Sequence, residues 1–325
     1  MAVTLAQAKL NVQDALQKAT IDEFAKSNFL LGMLDFDDCV SPTGGGTTMT
    51  YSYNRIKTQP TAQFRAINTE YTTQEVEKEQ IHANLKIFGG AFNVDRVIAG
   101  MGGIANEVTI QMQQKIKAAS ALFNDNVING DSAVDEIVFD GLEKAVTGSS
   151  TEFKPSKAID LSSSDLIDTN WKYFMDALDE FLLCLDGQPG ALLCNNVMLA
   201  RMRAVARRAG MYQVSKNDWG QQVETYGNIP LVDLGSKAGS NELVSKIYTD
   251  TIGGNSAPGL TQIYAVRFGL DGFHAISPVG GSPVKTWLPD FKTAGAVKKG
   301  EVEMIAAIAL KATKSAGVMR GIKVQ

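Results

Sequence analysis

The chain has 325 residues of which 44% are hydrophobic, enough for a sizeable core spread over about two domains. Its net charge of -4 argues against a protein built to neutralise phosphates, which needs a clear basic excess, so any DNA contact is expected to be incidental. No charged n-region followed by an apolar run opens the chain and no long apolar stretch interrupts it, so neither a secretory leader nor a membrane-spanning helix is expected.

Thr4 is placed to cap a helix with Leu5, Ala8, Val12, Leu16 and Ala19 on one side, and a short apolar piece follows over 24–34. Residues 1–40 therefore form an N-terminal arm. Between Leu34 and Leu85 lie fifty residues without a leucine, with nine threonines and the Gly44-Gly45-Gly46 run. Such a stretch cannot bury a core of its own. Met49, Tyr51 and Tyr53 alternate with Thr48, Thr50 and Ser52, and Ile81, Ala83, Leu85 and Ile87 alternate with His82, Asn84, Lys86 and Phe88, the period of an extended chain. The spacing predicts a long, mostly polar β-hairpin over 41–90 that ends at Gly89-Gly90. Arms of about 15 to 18 residues at about 3.3 Å each reach roughly 50 to 60 Å. A globule of this length is about 50 Å across, so the hairpin is expected to find its partners on another subunit.

After Asp95 and a glycine-rich turn comes the longest helical pattern, 101–128, with Ile104, Val108, Met112, Ile116, Ala119 and Phe123 on one stripe. Asn129-Gly130-Asp131 ends it, and a Ser/Thr/Gly/Lys-rich connection over 147–164 marks a domain boundary. Beyond it Ser164 is expected to cap a helix with Ile167, Trp171, Phe174, Leu178 and Phe181 inward. Ala191 to Cys194 is a buried strand, and Asn196 opens a helix that stops at Gly210. Strands are expected at 221–226, 229–234, 246–250 and 262–268, then at 302–312 and 317–324 in the tail.

Apparent chemical motifs dissolve on inspection. Residues 100–105 match the G-x-G-x-x-[GA] dinucleotide fingerprint, but Asp95 and Arg96 interrupt the preceding run where a central parallel strand is apolar on both faces. Asp125, at the expected ribose-binding distance, falls inside a helix. His82 and His274 have no ligand partner at metal spacing, and Cys39, Cys184 and Cys194 form no C-x-x-C pair, so they are expected as packed or solvated imidazoles and reduced thiols. The paired acids Asp37-Asp38 and Glu75-Glu77 are expected to be solvated. Arg201, Arg203, Arg207 and Arg208 make a basic helix stretch with no aromatic interleaving, which suits a solvated or intersubunit face. No catalytic residue, metal or cofactor is assigned.

The order of parts, with the phrases Phe92-Asn93-Val94-Asp95-Arg96, Phe139-Asp140-Gly141-Leu142, Leu193-Cys194-Asn195-Asn196 and the run from Ile263 to Gly269, resembles the major capsid protein of tailed double-stranded-DNA bacteriophages, whose fold encapsulins share. The resemblance covers nearly the whole chain. It implies an α+β fold with an N-terminal arm (1–40), an extended hairpin or E-loop (41–90), a peripheral P-domain (91–158) with its spine helix (101–128), an axial A-domain (159–274), and return strands (275–325) completing the P-domain and in part the A-domain. It further implies hexamers and pentamers in an icosahedral virion shell assembled in the host cytoplasm, a separate scaffolding protein, a portal and in some cases a decoration protein, and no membrane. Under it the hairpin residues Arg55, Lys57, Arg65, Glu75, Glu77 and Lys78 and the A-domain residues Arg201, Arg207 and Arg208 are candidate intersubunit contacts. Gly44, Gly45, Gly46, Gly89 and Gly90 become hinges, and Lys57, Lys78 and Lys86 could crosslink to a neighbour's asparagine. Two alternatives stay open: an encapsulin-like nanocompartment shell, and a nucleotide-dependent enzyme built on 92–128.

Overall fold

The structure, a computed structural model, describes residues 29–40, 49–58, 60–100, 107–210, 213–216, 222–278 and 284–325. The helix expected from Thr4, the glycines 44–46 and the first turns of the expected spine helix, including Ile104, lie outside them.

In chain order the first elements are α1 (Phe29–Met33), β1 (Phe36–Val40), β2 (Thr50–Ile56), β3 (Lys78–Asn84), β4 (Lys86–Asp95), α2 (Arg96–Gly100) and the spine helix α3 (Glu107–Asn129). Then come α4 (Leu142–Val146), β5 (Glu152–Phe153), β6 (Ile159–Asp160), α5 (Ser164–Leu183), β7 (Ala191–Cys194), α6 (Asn196–Ala209), β8 (Gln213–Lys216), β9 (Gln222–Tyr226) and β10 (Ile229–Asp233). The chain closes with β11 (Tyr248–Ile252), β12 (Asn255–Val266), β13 (Phe273–Pro278), β14 (Val284–Trp287), β15 (Val297–Leu310) and β16 (Ala316–Lys323).

One sheet runs β5-β16-β12-β7-β10-β9-β8, with β11 on β12 and β6 on β16. Against it α5 and α6 bury Ile167, Phe174, Phe181, Met198 and Met202 on Leu192, Ile263 and Met319. Asn196 opens α6 as expected, whereas α5 begins one residue earlier than its expected cap allows. Ser163, not Ser164, accepts from Leu166 N, and Asn195 accepts from Met198 N at 2.8 Å while its own amide donates to Thr261 Oγ1 and Ser245 O. Gly210, at φ 68°, ends α6 as a left-handed cap.

The second sheet is organised by β15. Its first ten residues pair with β4, its middle with β14 on the other edge, and its last four with β13, which in turn carries β1. Alternation at Val302, Met304 and Ala306 gives way to a continuously buried run from Ala306 to Leu310, because the strand passes from a one-faced sheet into the centre of the molecule. There Phe123, Phe139, Leu142, Tyr264 and Phe273 form the core shared by both sheets. The first half of α3 packs Met112, with Val108 and Ile116, on Phe92, Val94 and Val302. Ile116, expected at the centre of the stripe, is only partly buried, whereas Phe123 is fully enclosed.

Three expectations gain detail. The strand leading out of the hairpin stops at Asn84, and β4 then runs straight through Gly89 and Gly90, which pair with Glu303 and Val302. The glycines expected as a hinge thus lie within a paired strand, and Gly89 marks a close approach: a Cβ there would lie 2.0 Å from the Val302 carbonyl oxygen. The connection 147–164, expected as a domain boundary, contributes β5 and β6 to the first sheet, both paired in parallel with β16. The hairpin ladder is also shorter than expected, covering seven residues on each side.

Candidate assembly surfaces

The hairpin has a docked base and a projecting end. At the base, Tyr53 Oη donates to the Leu310 carbonyl at 2.8 Å, and Arg55 donates to the carbonyls of Lys311 and Leu310 at 3.0 and 2.6 Å. The end of β15 thus supplies acceptors that no strand partner uses, and Arg55, expected on a neighbouring subunit, is occupied within its own. The expectation that the hairpin could not fold back on its own domain fails for this base. Tyr51 Oη donates to Asp37 at 3.0 Å, which places that acid, expected to be solvated, in a half-buried joint between β1 and β2.

Beyond Lys57, whose N–H donates to Glu77 O at 2.8 Å, residues 60–77 form no ladder. Side chains hold the two arms together instead: Gln74 bridges to Thr61 N at 2.7 Å and to Thr61 Oγ1, and Glu77 N donates to Thr58 Oγ1. The chain turns at 67–68 with Asn68 at φ 65°. Arg65 stays on this end, donating to Thr69 O and lying 5.5 Å above the Tyr71 ring. Phe64 and Ile67 stand in solvent at 107% and 89% relative exposure, with Tyr71 half exposed beside them. The sequence reading of a mostly polar hairpin did not single out this apolar end; its signal was Phe64, Ile67 and Tyr71 spaced three and four apart outside any alternation. Lys57, Glu75, Glu77 and Lys78 are exposed. Lys86 donates to the Glu136 carbonyl of its own chain.

The arginines of α6 also turn inward more than expected. Arg201 donates to Ser162 O and Val324 O, Arg203 grips both oxygens of Glu224 at 2.6 and 2.7 Å, and Arg208 pairs with Asp168. Arg207 is exposed and makes no ion pair with a described residue. It is the one cation of this stretch left available to a neighbour.

A buried polar network that the sequence did not disclose ties α4 to strands β5, β16 and β12 of the first sheet. Arg320 on β16 donates to Glu152 at 2.6 Å, to Gln262 and to Thr147, and pairs with Glu143 on α4 at 2.6 Å. Tyr264 Oη donates to the same Glu143 at 2.7 Å. Burial pushes the Tyr264 hydroxyl well up and the neighbouring Glu143 charge adds to this, so it stays a donor. Burial by itself raises Glu152, but the Gly148 N–H, Arg320 and Lys154 outweigh it and hold the carboxyl below its usual range.

The dinucleotide reading of 92–128 fails on topology. Residues 92–95 lie in β4, which is antiparallel to β15, whereas that fingerprint belongs to a parallel βαβ unit. His82 is exposed with Ser52 Oγ 2.7 Å from its Nδ1, and His274 is enclosed in the core. Burial pushes the Cys194 thiol up, and Cys184 is half-buried; nothing is described of the Cys39 side chain. Among the described residues no cluster could hold a metal ion and no helix is long and apolar enough to cross a membrane.

No protein-family model matches the chain, and no curated protein matches it. Solved structures do. The SrpI encapsulin of Synechococcus elongatus aligns over 100% of this chain and 98% of its own at 14% identity, with a TM-score of 0.65. The capsid of Myoviridae phage XM1 aligns over 98% and 99% at 10% identity with a TM-score of 0.58, and a structure of Microbacterium phage Oxtober96 over 100% of both chains at 13% identity with a TM-score of 0.57. The central β15, the spine helix packed on it, the projecting hairpin and the two-helix α/β layer together are the α+β fold shared by tailed-phage capsids and encapsulins.

Proposed function

We propose that the protein is a structural shell subunit, the major capsid protein of a tailed phage, which assembles into hexamers and pentamers of an icosahedral head around double-stranded DNA. The observation that carries this reading is the hairpin end. Residues 60–77 leave their own fold with Phe64 and Ile67 in open solvent, and a solitary two-stranded arm is marginal in water. A second copy is the partner that covers it, and repeated head-to-tail contacts of this kind close into rings. In this reading 91–158 with β15 serves as the P-domain and 159–274 as the axial A-domain, with Lys57, Glu75, Glu77, Lys78 and Arg207 facing neighbours. A scaffolding protein, a portal and a decoration protein are the further partners this role calls for, with assembly in the host cytoplasm.

An encapsulin-like nanocompartment is the second reading, favoured by the full-length match at a TM-score of 0.65. The test is electron microscopy of the purified protein beside a variant in which 58–76 is replaced by a short Gly/Ser turn. Closed shells from the parent and folded, unassembled subunits from the variant are expected. Normal shells from the variant, or no assembly of the parent at any concentration or with its co-expressed gene neighbours, refute the proposal. Nuclease-protected DNA inside shells from infected cells separates phage head from nanocompartment.

A further inference from the structure

His274 is one of only two histidines in the chain, and its position is unusual. The ring has no solvent exposure, and neither nitrogen makes a well-formed hydrogen bond with a described group, although the Gly272 backbone lies close enough to act on it. It lies where three segments meet. From β1 comes Asp37, whose Oδ2 is 3.9 Å from His274 Nε2, with Asp35 just ahead of the strand. From the hairpin base comes Tyr51, whose ring meets the imidazole edge to face at 6.0 Å. From the end of β15 comes Lys311, with Nζ 3.9 Å from Asp37 and 5.3 Å from the Tyr51 ring centre. On β13 itself, FHAISP, His274 is the only titratable side chain, and Arg55 of β2 is held away on the Lys311 carbonyl.

We propose that His274 is a protonation-sensitive lock on the base of the hairpin: the neutral ring holds Tyr51 and the β1 segment in place, and the protonated ring releases them. The chemistry follows from the contacts. A neutral imidazole can sit in an apolar enclosure against an aromatic edge at modest cost, but an imidazolium carries two N–H donors that need acceptors. Of the acceptors beside it, Asp37 already takes the Tyr51 hydroxyl and faces Lys311, which leaves the Gly272 carbonyl for at most one of the two N–H groups. For the charged ring to reach Asp37 or water it must turn, which breaks the Tyr51 edge contact and sets Tyr51 and His274 in competition for one carboxylate. Tyr51 is the first of the three hairpin side chains that anchor the base, ahead of Tyr53 and Arg55.

The electrostatics point the same way. Burial lowers the affinity of the ring for a proton and Lys311 lowers it further, while the Gly272 carbonyl, Asp37 and Asp35 pull in the opposite direction without prevailing. A histidine whose folded pKa lies below its unfolded value of 6.5 stabilises the fold above that pH, and the contribution is lost as pH falls from there towards the folded pKa. The lock is a property of the subunit and does not depend on the shell reading.

The experiment measures two things on the full chain. With ring-labelled histidine, NMR gives two imidazole signals. The signal absent from His274→Phe identifies the buried ring, which is expected to titrate below the ordinary imidazole value of 6.5. Hydrogen exchange read by mass spectrometry over 50–56 and 78–84, corrected for intrinsic rates, is expected to quicken by roughly fivefold or more between about pH 7.5 and pH 5. In His274→Phe, which keeps an aromatic filler and cannot titrate, that pH response should vanish. Tyr51→Phe retains the ring but not the bond to Asp37, and should quicken exchange of the base already at the higher pH. Titration of His274 at or above 6.5, a pH-independent hairpin base in the parent, or a response that survives in His274→Phe overturns the proposal. Because exchange is read on unassembled protein, these outcomes are distinct from failure to form shells.

Discussion

Replacing Arg320 with alanine tests the junction of α4 with strands β5, β12 and β16. The guanidinium and the Glu152 side chain are each only 11% exposed and Glu143 is 30% exposed, so the substitution strands two carboxylates where water reaches one partly and the other hardly at all. Removing one partner of a buried ion pair costs about 3 to 5 kcal/mol, far more than the pair contributes against an apolar replacement. Two features place Arg320→Ala near the lower end, about 3 kcal/mol. Glu152 keeps the Gly148 N–H at 2.9 Å and Lys154 at 3.2 Å, and Glu143 can draw in solvent. Urea unfolding followed by tryptophan fluorescence measures the loss, and neutralising both acids in the same background with Glu143→Gln and Glu152→Gln should restore about 1 to 2 kcal/mol of it. The pH dependence has a fixed sign. Because the Glu152 carboxyl is held below its ordinary value of 4.5, its contribution is present above that value and is lost as pH falls through the folded pKa. The gap between parent and Arg320→Ala should therefore narrow below about pH 4.5. A loss under about 1 kcal/mol at neutral pH, the figure for an exposed pair, would refute the reasoning.

Gly89→Ala should destabilise by about 1 to 3 kcal/mol, since its Cβ would sit 2.0 Å from the Val302 oxygen and force β4 away from β15; an unchanged urea midpoint would contradict that register. Arg207→Glu should leave stability within about 0.5 kcal/mol of the parent because the side chain is exposed, yet block capsomer formation in native mass spectrometry. Arg208→Glu, by contrast, should lower stability measurably through loss of the Asp168 pair and the Ser164 contact. Capsomers at parental levels from Arg207→Glu would make that arginine a solvated residue.

Much of the molecule could be read along the chain, because the features concerned are local. The 3.6 period gave α5, α6 and the spine helix, a short continuous apolar run gave β7, and a capping residue gave the start of each of α5 and α6 to within one position. The leucine-free stretch gave the hairpin, and the sequence of parts gave the fold. Tertiary structure alone decided what depends on neighbours distant in sequence. Gly89-Gly90 looks like a turn in isolation and becomes mid-strand only because β15, more than two hundred residues later, lies against it. The arginines of α6 look like an unbalanced basic face until folding brings up Asp168 and Glu224. Glu143, Glu152, Gln262, Tyr264 and Arg320 carry no common spacing, so their network exists only in the packed state. The base of the hairpin follows the same logic. Its alternation fixes which residues share a face, but whether that face meets its own subunit was settled by where β15 ends and leaves the Leu310 and Lys311 carbonyls for Tyr53 and Arg55.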